Sequence, residues 1–210
     1  MAATPYFETT LTRDRIEAMT GAGHWPNDLL IDRLADRLAG REDQPLIVDR
    51  GGAVTWGAFA ADVERLARGL LAIGLRPGQV VQLQLPNRRE FPLAVLACER
   101  VGLVVNPVAP IFRHHEVSVM SQLAKPTAVI TVGSFRGFGL AAMHTELRES
   151  APWLEHVIVV DDDPGSPGPG TTDSAHPADL PADVMPLTDV LAAGDASPLT
   201  DDAIELLRPN

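Results

Sequence analysis

Between positions 80 and 160, apolar runs alternate regularly with segments of helical period, and this alternation limits the folds that the chain can adopt. The apolar runs at 80–85, 103–105, 127–132 and 157–160 have the length and residue types of strands. Helical spacing separates these runs. Strands that alternate with helices form βαβ units, so we predict an α/β, Rossmann-like domain with a mainly parallel sheet flanked by helices.

Two smaller elements are expected before this domain. Four leucines between positions 29 and 38 recur at helical spacing, which predicts a helical lead-in within residues 1–44 with Asn27 as its N-cap. The glycine pair at 51–52 lies between two short apolar runs and predicts a β-hairpin. Thr55 precedes an apolar stripe of helical period and is the expected N-cap of the next helix.

The alternation stops after position 160. Residues 161–186 contain six prolines and a run of three aspartates, which predicts an acidic, Pro/Gly-rich loop and the most mobile internal segment. Residues 187–210 predict a short helix followed by an end without a packed element. We therefore divide the chain into a lead-in at 1–44, an α/β subdomain at 45–160, the loop and the final segment.

Charge and composition exclude several classes of protein. The formal net charge is −11, and no Lys or Arg occurs at 149–207, so we expect no nucleic-acid partner. The single cysteine, Cys98, excludes an intrachain disulfide and a cysteine-based zinc site. Because no secretory signal and no run of ~18 uncharged apolar residues is evident, we expect a cytoplasmic protein without a membrane span.

The motifs of common catalytic sites are absent from the sequence: G-x-x-x-x-G-K-[ST], G-x-G-x-x-G, G-x-S-x-G and H-E-x-x-H. His114 and His115 are neighbours, and on a helix they would point about 100° apart, which does not suit one shared metal. Cys98 lies among apolar residues and is expected to be a buried thiol. The residues alone therefore predict an α/β domain with no catalytic constellation and no metal site of its own.

The order of the segments nevertheless resembles the N-terminal part of adenylate-forming (AMP-binding) acyl-CoA synthetases. The matching segments, within a similarity that runs from about Pro45 to Val160, are residues 55–59, 66–70, 74–81, 85–91 and 101–108, together with Pro110. Within that superfamily, residues 111–116 and 134–138 are most similar to the cyclohexanecarboxylate-CoA and medium-chain acyl-CoA ligase branch. The pair His24-Trp25 is similar both to that branch and to aryl-acid adenylating relatives.

The resemblance implies a two-step reaction in a longer parent enzyme. A carboxylic acid (medium-chain, alicyclic or aromatic) and ATP give an acyl-adenylate and pyrophosphate, and coenzyme A then gives the thioester and AMP, with Mg²⁺ neutralising the phosphates. The family's phosphate loop, rich in Ser, Thr and Gly with a Lys, normally follows shortly after the position of Leu207 and is not in this sequence. The later adenine and ribose contacts and the C-terminal catalytic lysine are also absent.

These absences predict an incomplete first subdomain. We expect the 210 residues alone to be inactive, to contain no catalytic residue and to bind none of ATP, Mg²⁺ and coenzyme A tightly. Arg88, Arg89 and Arg113 are the candidate contacts for the coenzyme A phosphates. The apolar strands at 103–105 and 157–160 suit a sheet covered on both faces, so a missing subdomain would leave an apolar face through which the chain self-associates.

Two departures from the family pattern are evident. Ala58 stands where the family usually has Glu or Asp, which removes one half of a capping box with Thr55. Residues 98–101 read Cys-Glu-Arg-Val where the family has small residues, and we expect a structural consequence at that helix end.

Two other functions remain open at this point. One is a free-standing remnant that binds or docks without catalysis. The other is an aryl-acid adenylating enzyme that feeds a carrier protein, which shares the first half-reaction and differs in the acceptor.

Overall fold

The computed structural model describes residues 11–26, 28–49, 51–160, 183–199 and 204. Most of the expected acidic loop, at 161–182, lies outside the described residues, and so does Asn27. The prediction of Asn27 as the N-cap of the lead-in helix is wrong, because the N-cap position of the helix at Leu30–Leu38 is Leu29.

The lead-in consists of two short helices, α1 (Arg13–Gly21) and α2 (Leu30–Leu38). Helix α1 buries no residue, whereas α2 buries Leu34. The N-terminus of α2 is capped from a distant part of the chain, because the Glu99 carboxylate accepts hydrogen bonds from the backbone N–H groups of Leu30 and Ile31 at 3.1 and 2.9 Å. A carboxylate at this position satisfies free N–H groups and complements the helix dipole.

The predicted hairpin is present as antiparallel strands β1 (Pro45–Asp49) and β2 (Gly52–Thr55). It leads directly into α3 (Trp56–Ala72). The Thr55 hydroxyl accepts a hydrogen bond from the Ala58 backbone N–H at 3.2 Å, which confirms Thr55 as the N-cap.

The main sheet is parallel, as the alternation of strands and helices predicts. Within the described residues it has five strands in the order β4-β3-β5-β8-β9. The strands are β3 (Val80–Gln84), β4 (Val104–Pro107), β5 (Ala128–Val132), β8 (His156–Val160) and β9 (Met185–Pro186). Strand β9 stands where the end of the loop was expected, and Pro186 fits there because it closes a two-residue strand at the sheet edge.

Three helices connect the described strands β3, β4, β5 and β8 in turn: α4 (Glu90–Arg100), α5 (His114–Ala124) and α6 (Leu140–Ser150). A small hairpin of β6 (Ser134–Phe135) and β7 (Phe138–Gly139) precedes α6, and α7 (Leu187–Asp195) follows β9. The chain moves one way from β3 to β4 and the other way from β4 to β5. Right-handed crossovers therefore place α4 and α5 on opposite faces of the sheet.

The spacing of Asn87 and Glu90 predicts a capping box at the start of α4, and this prediction is wrong. The N-cap position is Arg89, and Glu90 pairs with Arg88. The two apolar runs at 103–105 and 157–160 differ in exposure: β4 is an edge strand, and its Val104 is 42% exposed. By contrast, β8 is buried from Val157 to Val160, as a strand inside a parallel sheet requires.

Candidate functional site

The candidate site is the carboxyl edge of the parallel sheet. In open α/β sheets, ligands bind in the crevice beyond the carboxyl ends of the strands. The segment after β3 leads into α4, and the segment after β4, residues 108–113, leads into α5. Because β3 and β4 are hydrogen-bonded neighbours, both segments lie at this edge.

A buried glutamine holds the segment after β4 in place. Gln84, the last residue of β3, is fully buried, and its Nε2 donates to the carbonyl oxygens of Ala109 and Phe112, both at 3.1 Å. Its Oε1 lies 2.7 Å from Nε2 of His144 on α6. The backbone carbonyl of Gln84 also accepts a hydrogen bond from the Thr131 hydroxyl at 3.1 Å. The amide of Gln84 thus links three elements of the carboxyl edge.

The protonation of His144 follows from its surroundings. Its side chain is buried on α6, and burial lowers the pKa of His144 to about 4, with a further lowering from His114. The ring is therefore neutral at pH 7. Because both hydrogens of the Gln84 amide are directed at carbonyl groups, the amide oxygen faces the ring, and His144 donates through Nε2.

Arg113, the last residue before α5, lies on this held segment. Its Nη1 donates to the carbonyl oxygens of Pro110 and Phe112 at 2.9 and 3.2 Å. Its guanidinium lies over the ring of Phe138, 4.3 Å from the centroid, and His114 contacts the same ring edge-on. These contacts fix the guanidinium plane at the sheet edge while leaving it charged.

A second guanidinium lies on the neighbouring aromatic ring. Arg136 occupies the turn of the β6–β7 hairpin in the left-handed region, with φ 52°, and lies 5.3 Å from the centroid of the Phe135 ring. Phe135 and Phe138 face each other across the hairpin. The hairpin therefore presents two arginines on two paired rings, an arrangement that favours an anionic group.

The other two arginines predicted for the site make contacts with carboxylates of the chain itself. Arg88 Nε lies 2.6 Å from Glu90 Oε2, and the Arg88 side chain is only 9% exposed. Arg89 binds the Asp49 carboxylate of the hairpin through Nε at 2.7 Å and through Nη2, and these hydrogen bonds lower the pKa of Asp49. Arg88 and Arg89 lie at the predicted edge, but the guanidinium of each already binds a carboxylate, whereas the Arg113 guanidinium binds carbonyl oxygens. The Glu116 carboxylate lies near Arg113 and accepts a hydrogen bond from its backbone N–H at 3.1 Å.

Other features of the described residues lie away from this edge. A cleft of about 480 Å³ lies between α2, α3 and α4, beside the ion pair that joins Arg100 to Glu64 at 2.8 Å. Arg100 ends α4, so this cleft is at the opposite end of the sheet from the candidate site. Cys98 is buried, and burial raises the pKa of its thiol to about 12, as expected for an unreactive cysteine.

His114 and His115 lie in the first turn of α5 with exposed side chains. His114 Nε2 contacts Glu146 of α6 at 2.8 Å, which ties α5 to α6. Across the described part of the chain, no group of three or more His, Cys, Asp or Glu side chains is placed to hold a metal ion. The same residues include no helix long and apolar enough to span a membrane.

Sequence reasoning missed four residues of this edge: Gln84, Arg136, Phe138 and His144. Gln84 could have been found from the sequence, because a glutamine at the end of a buried strand needs polar partners. The dipeptide Arg136-Gly137 between two phenylalanines is a hairpin signal. His144 gave no signal, because its partner lies sixty positions earlier in the chain.

Comparison with known proteins gives a family for the chain. The model of a family described as AMP-binding enzyme matches residues 34–202. A 2-hydroxy-7-methoxy-5-methyl-1-naphthoate–CoA ligase of Streptomyces carzinostaticus is 29% identical over 69% of this chain and 26% of its own length. A salicyl-AMP ligase / salicyl-S-ArCP synthetase of Mycobacterium tuberculosis is 30% identical over 79% of this chain and 32% of its own length.

A solved structure matches the fold. The apo structure of Mycobacterium smegmatis MbtA superposes with a TM-score of 0.67 at 25% sequence identity, over 87% of this chain and 30% of that one. The chain thus spans about a quarter to a third of the length of the relatives that it matches.

Proposed function

Since the chain belongs to the AMP-binding enzyme family, we propose that it is the N-terminal α/β part of an enzyme that activates a carboxylic acid with ATP. The acid oxygen attacks the α-phosphorus of ATP, pyrophosphate leaves, and an acyl-adenylate forms. The thiol of an acceptor then attacks the acyl carbon, AMP leaves, and a thioester forms. Mg²⁺ bound to the ATP phosphates neutralises their charge.

The observation that carries this proposal is the match of the family model to residues 34–202, which span the hairpin, the parallel sheet and α7. The chain contributes the carboxyl edge of the first subdomain to the enzyme. It lacks the phosphate loop that stabilises transition-state charge in the family, so we expect the 210 residues alone to have no ligase activity.

We propose an aromatic acid as the substrate. The names of the two relatives above specify a naphthoate and salicylate, both aromatic acids. The similarity of residues 111–116 and 134–138 to the cyclohexanecarboxylate and medium-chain branch supports a second candidate class, alicyclic or medium-chain acids. Both classes share the first half-reaction.

We propose coenzyme A as the acceptor, with its phosphates bound at the carboxyl edge. Arg113 is the strongest of the three predicted contacts, because it is fixed by two carbonyls and a ring, whereas Arg88 and Arg89 hold Glu90 and Asp49. Arg136 adds a second cation on the paired ring. The M. tuberculosis relative is named for transfer to a carrier protein, so a phosphopantetheinyl carrier is the alternative acceptor.

The test uses the complete gene product that contains these residues. It is incubated with ATP, Mg²⁺ and each of salicylate, benzoate, cyclohexanecarboxylate and octanoate, with coenzyme A or a phosphopantetheinyl carrier as acceptor. Mass spectrometry should detect AMP and a coenzyme A thioester, with an aromatic acid preferred. A loaded carrier with no coenzyme A thioester would show that the acceptor is wrong. Absence of AMP with every acid would support a binding remnant without catalysis.

A further inference from the structure

The carboxyl edge contains a buried polar pair, Gln84 and His144, that contacts no solvent and takes no part in the reaction proposed above. Burying an amide and an imidazole is costly unless their polar atoms are paired. Here the Gln84 amide uses both hydrogens and its oxygen, at distances of 3.1, 3.1 and 2.7 Å. A fully paired polar network of this kind fixes one arrangement of the groups that it joins.

The groups that this pair fixes are the carbonyls of Ala109 and Phe112. The Phe112 carbonyl accepts a hydrogen bond from the Gln84 amide and another from Arg113 Nη1. Arg113 also bonds the Pro110 carbonyl, which lies between the two carbonyls held by Gln84. Gln84 therefore holds the backbone segment whose carbonyl oxygens bind the Arg113 guanidinium.

His144 determines which way the Gln84 amide points. If the amide turned over, its NH₂ group would face the His144 Nε2–H group and its oxygen would face the two carbonyls. All three hydrogen bonds of the Gln84 side chain would then be lost. The Thr131 hydroxyl fixes the backbone of Gln84 from the neighbouring strand. Residues on β3, β5 and α6 thus converge on one loop.

We propose that Gln84 and His144 are positioning residues for the acceptor: they hold residues 109–112 so that Arg113 stands over Phe138, ready to receive a phosphate of the acceptor. This inference rests on the proposed function for the identity of the anion. The geometric part, that the Gln84–His144 pair sets the position of Arg113, is independent of that function. Neither residue touches the substrates, so both act through Arg113.

Four variants separate the two parts. His144→Leu removes the donor to Gln84 at similar volume, and His144→Gln restores an N–H group at the position of Nε2. Thr145→Val is the matched control, because its hydroxyl bonds only the Ala141 carbonyl of its own helix at 3.1 Å. Gln84→Leu removes all three side-chain hydrogen bonds and tests the pair from the other side.

The first measurement is NMR of the isotope-labelled 210-residue chain. Protons of the Arg113 side chain lie over the Phe138 ring and are expected upfield of those of an unstacked arginine. His144→Leu should move them back towards the unstacked position, whereas His144→Gln and Thr145→Val should not. Unchanged Arg113 chemical shifts in a folded His144→Leu variant would overturn the positioning role, and this result does not depend on the activity of the enzyme. If His144→Leu does not fold, the same shifts in Gln84→Leu or in a Gln84→Glu variant decide the point.

The second measurement is kinetic and uses the complete gene product. His144→Leu should raise the KM for coenzyme A about tenfold, while acid-dependent ATP–pyrophosphate exchange changes less than about threefold. His144→Gln should restore the KM. An equal fall in both half-reactions, or an unchanged KM, would overturn the positioning of the acceptor. Absence of exchange in the unsubstituted enzyme would overturn the proposed function, and the Arg113 shifts would still decide the positioning role.

Discussion

At the scale of single residues, the Glu99 carboxylate replaces a cap that α2 lacks locally. The N-cap residue of α2 is Leu29, whose side chain has no oxygen to offer, and Glu99 receives the N–H groups of Leu30 and Ile31. Glu99 therefore links the C-terminal end of α4 to the lead-in helix. That the departure of residues 98–101 from the family pattern has a structural consequence stays a prediction.

Replacing Glu99 by Ala should lower the free energy of unfolding by ~1 kcal/mol, because two helix N–H groups lose their acceptor. Urea unfolding followed by circular dichroism measures this change. Glu149→Ala, at an exposed position on α6, is the control and should change the free energy by less than ~0.5 kcal/mol. Equal effects of the two substitutions would mean that Glu99 does not stabilise α2.

His144 gives the stability of the chain a specific pH dependence. Its pKa is about 4 in the folded chain and near its ordinary value of 6.5 when exposed. Between these values the unfolded chain binds a proton that the folded chain excludes. The contribution of His144 is therefore complete above pH 6.5 and is lost as the pH falls to 4, which amounts to about 3 kcal/mol in all.

The measurement compares urea unfolding of the chain and of His144→Gln at pH 7 and pH 4.5. Glutamine does not titrate, so the variant should lose about 2–3 kcal/mol less between the two pH values than the unsubstituted chain. Parallel pH profiles for both chains would show that His144 is not held neutral by burial.

Among single residues, the sequence predicted those whose partners are local. Thr55 caps the helix that it precedes, and Cys98 is buried within an apolar helix face. Glu99, Gln84 and His144 were missed because each acts across long separations in the chain. Asn87 was wrongly predicted as a cap because the Arg88 guanidinium binds the Glu90 carboxylate that a capping box would need.

At the scale of elements, α7 packs on α3 through two glycines. A Cβ atom at Gly69 would lie 2.0 Å from the Val190 carbonyl oxygen, and one at Gly194 would lie 2.0 Å from the Arg65 carbonyl oxygen. Beside this contact, Arg65 forms a bidentate ion pair with Asp195, with both N–O distances 2.7 Å. The two helices approach closely enough for backbone to meet backbone.

Gly69→Ala should therefore push the helices apart and lower the free energy of unfolding by ~2–3 kcal/mol, even though alanine favours helix. Gly194→Ala should have a similar effect. Gly21→Ala is the control, since the space around a Cβ atom there is open. Chemical denaturation measures all three. A neutral Gly69→Ala would contradict the close approach of α3 and α7.

Most elements could be predicted from hydrophobic period alone. The parallel strands and the helices between them follow from local pattern, and so does the hairpin. Strand β9 could not be predicted, because two residues have no period and their pairing depends on β8. The exposure of Val104 also depends on strand order, which local pattern does not contain.

At the scale of the whole molecule, α5 exposes apolar side chains to solvent. Val119 and Leu123 are four residues apart on one helix face and are 47% and 74% exposed. We expect these residues to promote self-association of the 210-residue chain. Sedimentation velocity over a range of concentrations should show association that the double substitution Val119→Glu and Leu123→Glu reduces. A chain that stays monomeric at high concentration would contradict this prediction.

The location of the candidate site at the carboxyl edge stays a prediction, which the ends of parallel strands indicate. The structure places Arg113 in the segment that follows β4 at this edge. The sequence could not distinguish the carbonyl-bound Arg113 from Arg88 and Arg89, which hold carboxylates, because that distinction depends on the positions of Glu90 and Asp49 in the fold.

We propose that this chain is the N-terminal part of an acid-activating enzyme. ATP–pyrophosphate exchange is the decisive measurement, because exchange requires reversible formation of the acyl-adenylate and no acceptor. The complete gene product should exchange pyrophosphate into ATP only when an acid substrate is present, and the 210-residue chain alone should match a heat-inactivated control. Exchange at the level of that control from the complete product, with every acid in the panel, would contradict the claim.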